Sequence, residues 1–409
     1  MVRRAGNTRL KSARMAAGYP SQQSLADALG VGVRQVRRWE SEAPPWPQPE
    51  VGQALSRLLG QDLEVLGFIA LTHAASQRGR RSASSTVAAA VGLAMVPTQA
   101  AVLLQPASVV ADFEVVTRSH RRLYWSVAPA ALHPSVMAHA ALGLVLLSET
   151  AGQTRQGVAV ALAETYLLAG RIEFFDLREP EHATQTLLRS LQAAGEADDP
   201  LLGAAALAHT AFIPAWSGRR DEAVERMVAS RTYARRGLAS AEFLAWLDAV
   251  EAECETRCGN TRPALRLISH AEDVLARGSS HANPPWLDWF SPVRLAAFKG
   301  NTQLKAGHLP QARETLLAVL SALDPGEEKQ RTVVLGDLAA VEASDGQFEE
   351  ACRYALRALD QLERTWYAMG MDRVREVRRM LAPHQNERSV RELDDRLYAW
   401  STTVSALAR

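Results

Sequence analysis

The feature that most limits what this chain can fold into is a repeat in its second half. Glycine stands five residues before alanine at Gly218 and Ala223, Gly259 and Ala264, Gly307 and Ala312, and Gly346 and Ala351. The alanines are 41, 48 and 39 residues apart. Ala183, 40 residues before Ala223, marks an earlier copy in which Arg178 takes the glycine's place. At each copy one helical period stops, a turn follows and an amphipathic helix begins, as in WSGRRDEAVERMVASRTYARR. Glycine relieves the helix end, and the small alanine lets paired helices approach closely. A single hairpin of this kind cannot bury its own apolar face, so the copies must stack into a curved α-solenoid. Alanine and leucine dominate and strand-like alternation is scarce, which makes the chain all-α. Val374 to Leu381 and Val390 to Leu407 read as helices that close the stack. The 48-residue interval holds an insertion, GSSHANPPWLDWFSP, which brings Trp286, Trp289 and Phe290 within five positions.

At 409 residues the chain exceeds one ordinary domain of roughly 150 residues. Its charge is divided unevenly. Residues 1 to 81 carry 12 Lys and Arg against 6 acids, and the remainder 34 against 39, so a basic head precedes an acidic body. That division suits a polyanion-binding module joined to a domain that does not bind polyanions. Within the head, SQQSLADALGVGVRQVRRWE, Ser21 to Glu40, contains two helical periods separated by a turn at Gly30 to Gly32. Ser21 is a good N-cap for the first, and the second, Val33 to Trp39, carries Arg34, Arg37 and Arg38 on its polar face. An earlier helix runs from Asn7 to Ala17 with Leu10, Ala13 and Ala17 inward, and Gly18 stops it. The proline-rich APPWPQPE forces the chain out of helix, a fourth helix spans Pro49 to Leu59, and a fifth segment lies near Leu63 to Ala74. This is a small five-helix head with a helix-turn-helix, the motif that lays a helix in the DNA major groove. The predicted division is a DNA-binding head over 1–75, a linker over 76–107, rich in Ser, Ala, Arg and Gly, and a helical repeat domain over 108–409 for sensing and dimerisation.

Arginine suits the task at positions 34, 37 and 38, because its planar fork donates two parallel hydrogen bonds to guanine O6 and N7. Two heads are needed to read two half-sites of a palindromic operator about 34 Å apart, so a homodimer is expected. Trp286, Trp289 and Phe290 belong either to the solenoid core or to the wall of a concave ligand groove. Arg257, Asn260, Asn301 and Lys305, at the ends of first helices, point either to solvent or into that groove. Glu251, Glu253 and Glu255 read as a solvated helix face. Cys254, Cys258 and Cys352 form neither a disulfide framework nor a zinc motif and read as buried, reduced thiols of a cytoplasmic protein. The alanine-rich run from Thr86 to Met95 is too short for a membrane span. The histidines lack metal-ligand spacing, and no catalytic constellation appears, so neither an enzyme nor a cofactor or metal is expected.

Residues 7 to 65 resemble the phage-repressor, or xenobiotic-response-element, type of helix-turn-helix. The residues that carry the likeness are Arg14 with Gly18, Gln22, Leu25-Ala26, Leu29-Gly30-Val31, Val36 and Trp39-Glu40. The resemblance implies an ion pair between Arg14 and Glu40, a phosphate contact from Gln22 and base contacts from Val33, Arg34 and Arg38; on the same helix Arg37 is expected at bases and Gln35 at a phosphate. Tyr19-Pro20 lengthens the first turn, and Gly32 stands where Ser or Thr commonly caps the third helix. Residues 108 to 400 look like tetratricopeptide-type repeats of divergent length. Head and body together resemble a group of actinobacterial regulators and, more distantly, the peptide-pheromone-sensing regulators of Gram-positive bacteria. That likeness implies a transcription regulator that takes a peptide or small-molecule effector; the alternative is an interaction scaffold whose repeats recruit a partner protein.

Overall fold

In a computed structural model of the chain, residues 7–41, 44, 47, 49–61, 63, 66, 68 and 105–407 are described. The chain divides into two compact units, residues 1–99 and 100–409. Every regular element among the described residues is helical.

The first unit contains α1 (Thr8–Ala16), α2 (Gln22–Leu29), α3 (Val33–Trp39) and α4 (Pro49–Leu59). Local chemistry sets these boundaries. The Leu10 N–H donates to Asn7 Oδ1 at 3.3 Å, which satisfies one of the free donors at the start of α1. Ser21 and Ser24 form a reciprocal cap on α2, each backbone N–H donating to the other's hydroxyl at 3.1 and 3.0 Å. Gly30 ends α2 with φ at +65°, a conformation that favours glycine. Gly32 precedes α3 without a side-chain cap. Leu10, Leu25, Ala26, Val36, Trp39 and Leu55 fill the core, and Trp39 meets the edge of Phe68 at 6.2 Å. Ala17, expected inward, is exposed because α1 ends one residue earlier, and Arg14 is the buried residue of that turn. The fifth head segment, apart from Leu63, Leu66 and Phe68, and residues 76–104 of the linker lie outside the described residues.

The second unit runs through α5 (Ser108–Leu123), α6 (Pro129–Ser148), α7 (Gly152–Arg171), α8 (Pro180–Glu196), α9 (Pro200–Trp216), α10 (Arg220–Ala234), α11 (Ala241–Arg257) and α12 (Thr261–Arg277). It continues with α13 (Pro292–Lys305), α14 (Leu309–Ala322), α15 (Glu328–Ser344), α16 (Phe348–Arg364), α17 (Ala368–Met380) and α18 (Arg388–Leu407). From α7 to α16 the helices pack as consecutive pairs, and each pair stacks on the next. The repeat seen in the sequence marks the turn inside each pair. Gly218, Gly259, Gly307 and Gly346 have φ of +70°, +82°, +77° and +77°, and Arg178 adopts +61° in the same place. The matching alanines, from Ala183 to Ala351, are at most 2% exposed.

First and second helices differ in burial for a geometric reason. α11 is flanked on both sides and by its own partner, so it buries consecutive residues, Trp246, Leu247, Asp248, Ala249 and Val250. α12 covers the outside and buries one stripe, Ala264, Ile268, Ala271 and Val274. The same geometry overturns the solvated-face reading of Glu253 and Glu255, which are 6% and 5% exposed. Each of the three glutamates instead meets an arginine: Glu251 with Arg231 at 2.5 Å, Glu253 with Arg257 at 2.9 Å, Glu255 with Arg220 at 2.7 Å. Buried carboxylates require such partners.

α6 is the one helix among the described residues that is long and apolar enough to cross a bilayer. It packs beside α5 and α7, with Leu132, Val136 and Ala140 buried.

The solenoid turns back on itself. α7 runs into a π-helical turn, Ile172–Leu177, that ends at Arg178. This turn delivers Asp176 to Lys329 on α15 at 2.8 Å, both essentially inaccessible to solvent. Arg178 pairs with Asp372, and an Arg121 Nη2–H donates to the Pro285 carbonyl at 2.9 Å. Residues more than 150 positions apart in sequence therefore close the superhelix around a central groove.

Candidate functional site

In the head, α3 is held from behind and open in front. Val36 and Trp39 anchor it in the core, and Glu40, at its C-terminal end, is gripped by two side chains. Arg14 Nε–H donates to Glu40 Oε1 at 2.7 Å, and the Gln22 amide donates to Glu40 Oε2 at 2.6 Å. Arg14 also donates to the Tyr19 carbonyl at 2.6 Å, which ties the longer Tyr19-Pro20 turn to the same cluster. Arg14 and Glu40 are almost wholly buried, at 4% and 6% of side-chain surface, so each charge depends on the other.

Asn7 contributes a second clamp that sequence reasoning missed. Its amide donates to the Trp39 and Leu66 carbonyls at 3.2 and 2.9 Å while its Oδ1 caps α1. The sequence reads Asn7 as the first residue of the helix, and the clamp is out of its reach because the two carbonyls are distant in the chain.

On the open face Arg34, Arg37 and Arg38 are exposed, and none forms an ion pair with a described residue. Val33 and Gln35 are half-buried beside them. Gln22, expected at a phosphate, directs one amide hydrogen inward to Glu40. Three unpaired guanidinium groups on one turn and a half of rigid helix can donate to phosphates or, in pairs of parallel bonds, to guanine.

In the repeat domain the first helices of successive pairs line a central cavity of about 130 Å³. α7 contributes Arg171, α9 Phe212 and Trp216, α11 Trp246 and Glu253, α13 Arg294 and Asn301, and α15 Asp337. Tyr124 and Trp125 come from the turn after α5, and Trp289 from the insertion between α12 and α13. Burial and the Arg171 charge drive His209 down to about 3, and burial pushes Tyr367 up to about 12, so both line the cavity uncharged at neutral pH. Asn301 donates to Asp337 at 3.0 Å and leaves its own Oδ1 buried without a partner.

Of the groove residues read from sequence, the structure brings Trp289 and Asn301 to this cavity. Trp286 and Phe290 are 7% and 4% exposed and belong to the core, where Trp286 packs on Phe243 with ring centres 5.9 Å apart. The insertion contains a short 3-10 turn, Pro285–Leu287, and Trp289 meets the edge of Phe290 with ring centres 6.0 Å apart. Arg257 lies 4.3 Å over the Trp216 ring and lines a neighbouring cleft of about 520 Å³ with Arg373 and Glu376. Asn260 occupies the turn before α12, and Lys305 pairs with Glu376; neither lines the central cavity. The residues that sequence reasoning missed, Arg171, Trp125 and Trp246 among them, lie on separate repeats that only the curvature of the stack brings together. Among the described residues no group of three or more His, Cys, Asp or Glu could hold a metal ion.

Comparisons with known proteins bear on the two units differently. No curated protein matches the chain. A solved structure, "Crystal Structure of Rap Protein Complexed with Competence and Sporulation Factor", is similar over 74% of this chain and 89% of its own, with 12% identity and a TM-score of 0.45. Residues 10–66 match the helix-turn-helix family model, a span that takes in most of α1, all of α2 to α4 and the Arg14–Glu40 pair. That span is a helix-turn-helix domain of the phage-repressor type, all-α and followed by a helical repeat region.

Proposed function

We propose that this protein is a sequence-specific transcriptional regulator that acts in the cytoplasm as a homodimer on a palindromic operator. The observation that carries the reading is α3, whose outward face shows Arg34, Arg37 and Arg38 without ion-pair partners among the described residues while its inward side is locked by Glu40, Arg14 and Gln22. A guanidinium row that the described acids leave unneutralised suits a polyanion. Arg34, Arg37 and Arg38, with Val33, face base edges; Gln35 and the remaining hydrogen-bonding capacity of Gln22 face phosphates. A single short helix reads few base pairs, so two copies supply the half-sites, and the repeat domain sets their spacing. Its central cavity receives an effector, a peptide or a small molecule, which changes DNA affinity by binding one arrangement of the heads better than the other. No catalytic role is assigned to any residue.

Selection of bound fragments from genomic DNA, followed by affinity measurement across salt, tests this. A recurring inverted sequence is expected, bound with an affinity that falls steeply as salt rises from about 50 to 200 mM. Recovery of no preferred sequence would sink the assignment and favour a scaffold whose repeats recruit a partner protein.

A further inference from the structure

The charges that line the central cavity are paired except one. Arg294 reaches Glu327 at 2.8 Å, and Arg373 reaches Asp337 at 3.0 Å. The two lining carboxylates, Glu253 and Asp337, are both engaged, Glu253 by Arg257 at 2.9 Å and Asp337 by Arg373 and Asn301. Arg171 differs. Its guanidinium makes neither an ion pair nor a hydrogen bond with any described residue, its Nε is buried without a partner, and the one carboxylate whose charge it feels at longer range, Asp176, is already held by Lys329.

What Arg171 does touch is aromatic. Its guanidinium carbon lies 4.7 Å from the centre of the Trp289 ring, 5.1 Å from Tyr124 and 6.0 Å from Trp125. Such rings attract a cation through its face. They leave unused the in-plane N–H edge, which is the part of arginine that matches a carboxylate. A partly buried cation with its donors unspent is incomplete, since a desolvated charge is stable when paired. The arrangement therefore holds and orients a guanidinium for an acid that the protein does not itself provide.

Size narrows the acid. A dry cavity of about 150 Å³ holds one benzene; here about 130 Å³ is free, walled by Phe212, Trp246 and Trp289. That space takes one ring and not a peptide of several residues, and a short acid arm on the ring would extend past it along Arg171.

We propose that the central cavity binds a small aromatic carboxylate, its ring against these aromatic side chains and its carboxylate in the N–H edge of Arg171. The inference rests on the reading of this cavity as the effector site and gives that effector a chemical class. The buried acceptor of Asn301 offers a second contact to any hydroxyl or N–H on the ring.

The test uses the purified full-length chain with phenylacetate, its neutral isostere phenylacetamide and the cation phenethylamine, by calorimetry and by tryptophan fluorescence. Saturable phenylacetate binding is expected, with phenylacetamide weaker by about tenfold or more and phenethylamine weaker still. Arg171→Gln should weaken phenylacetate by about tenfold or more while moving phenylacetamide by no more than about twofold, and Arg171→Lys should retain part of the preference. Far-UV circular dichroism checks that both variants fold. Equal affinity for acid and amide, or undiminished phenylacetate binding by Arg171→Gln, overturns the carboxylate assignment. Failure of phenylacetate, benzoate and indole-3-acetate alike overturns the site itself. Phenylacetate binding with the expected Arg171 dependence but no change in operator affinity supports the site and overturns the effector reading on which it rests.

Discussion

Replacing Lys329 with methionine is the sharpest test of how the repeat domain is held closed. Lys329 Nζ lies 2.8 Å from Asp176 Oδ1, with 1% and 0% of the two side chains exposed, and 3.7 Å from the centre of the Tyr124 ring. At an effective dielectric near 20, two unit charges at this separation attract by about 6 kcal/mol. Removing both from water costs several kcal/mol each, so the intact pair is close to neutral in net stability. Truncating one partner is a different matter. Lys329→Met keeps the volume but strands the Asp176 carboxylate in the interior, and Asp176→Asn strands the ammonium. Each single change should cost about 3–5 kcal/mol. The double variant leaves no orphan charge and should cost well under the sum, a coupling of about 3 kcal/mol. Urea unfolding of the full chain, followed by far-UV circular dichroism and completed as a four-member cycle, measures this directly. Additive single effects would show that the pair does not act as a unit, and losses below about 1 kcal/mol would show that the contact between the first and last turns carries no stability.

Four further outcomes follow from the geometry. Arg34→Ala or Arg38→Ala should lose about 1–3 kcal/mol on the selected operator and relax base preference, whereas equal weakening on random DNA would assign the side chain to phosphates. Glu40→Ala leaves the Arg14 guanidinium, 4% exposed, without its carboxylate and frees Gln22; faster hydrogen exchange across α1 and α3 in the full chain is expected, with protection in the repeat domain unchanged. Gly307→Ala, at φ +77° with open space around a new Cβ, should cost about 1–2 kcal/mol from backbone strain alone, read as a lower urea midpoint. His209 gives a pH signature. Its folded value near 3 lies below the unfolded 6.5, so the unfolded chain takes the proton first: the contribution, a few kcal/mol, is complete above pH 6.5 and drains away as pH falls toward 3. Over that window His209→Gln should flatten the fall in unfolding free energy by about 1.4 kcal/mol per pH unit, and an unchanged slope would place the acid sensitivity elsewhere.

The head was legible because its determinants are local. Ser21 and Ser24 cap α2 across three residues, Gly30 ends it, and the apolar spacing of Leu25, Ala26, Val36 and Trp39 predicts the buried side. The ion pair of Arg14 with Glu40 spans 26 positions and entered only through family resemblance. The clamp from Asn7 to the Trp39 and Leu66 carbonyls spans 32 and 59, and nothing in the composition of the chain announces it. Ala17 was misplaced because helical period alone does not say at which residue a helix ends.

In the body, the turn of each hairpin is equally local, and the glycine-to-alanine spacing located it. Arg178 shows how strong that register is: it takes φ +61° although it is not glycine, because the π-helical turn before it and the buried Ala183 after it fix where the chain must reverse. Burial of the first helices could not be read in the same way. Alternating glutamates normally mark a wet face, but a helix flanked on every side has none, so Glu253 and Glu255 went inside and took arginine partners, Arg257 one turn along the same helix and Arg220 from α10. The cavity is harder still, since its wall takes one or two residues from each of several repeats. Trp289 could be suspected from the crowding of aromatics in the insertion. Arg171 could not, because what sets it apart is a property of three dimensions: it is the one cation in the cavity wall that curvature places among rings and outside ion-pair distance of every described carboxylate. The rings of Tyr124, Trp125 and Trp289 hold the face of that guanidinium, and on the proposed reading a ligand from outside the chain completes its N–H edge.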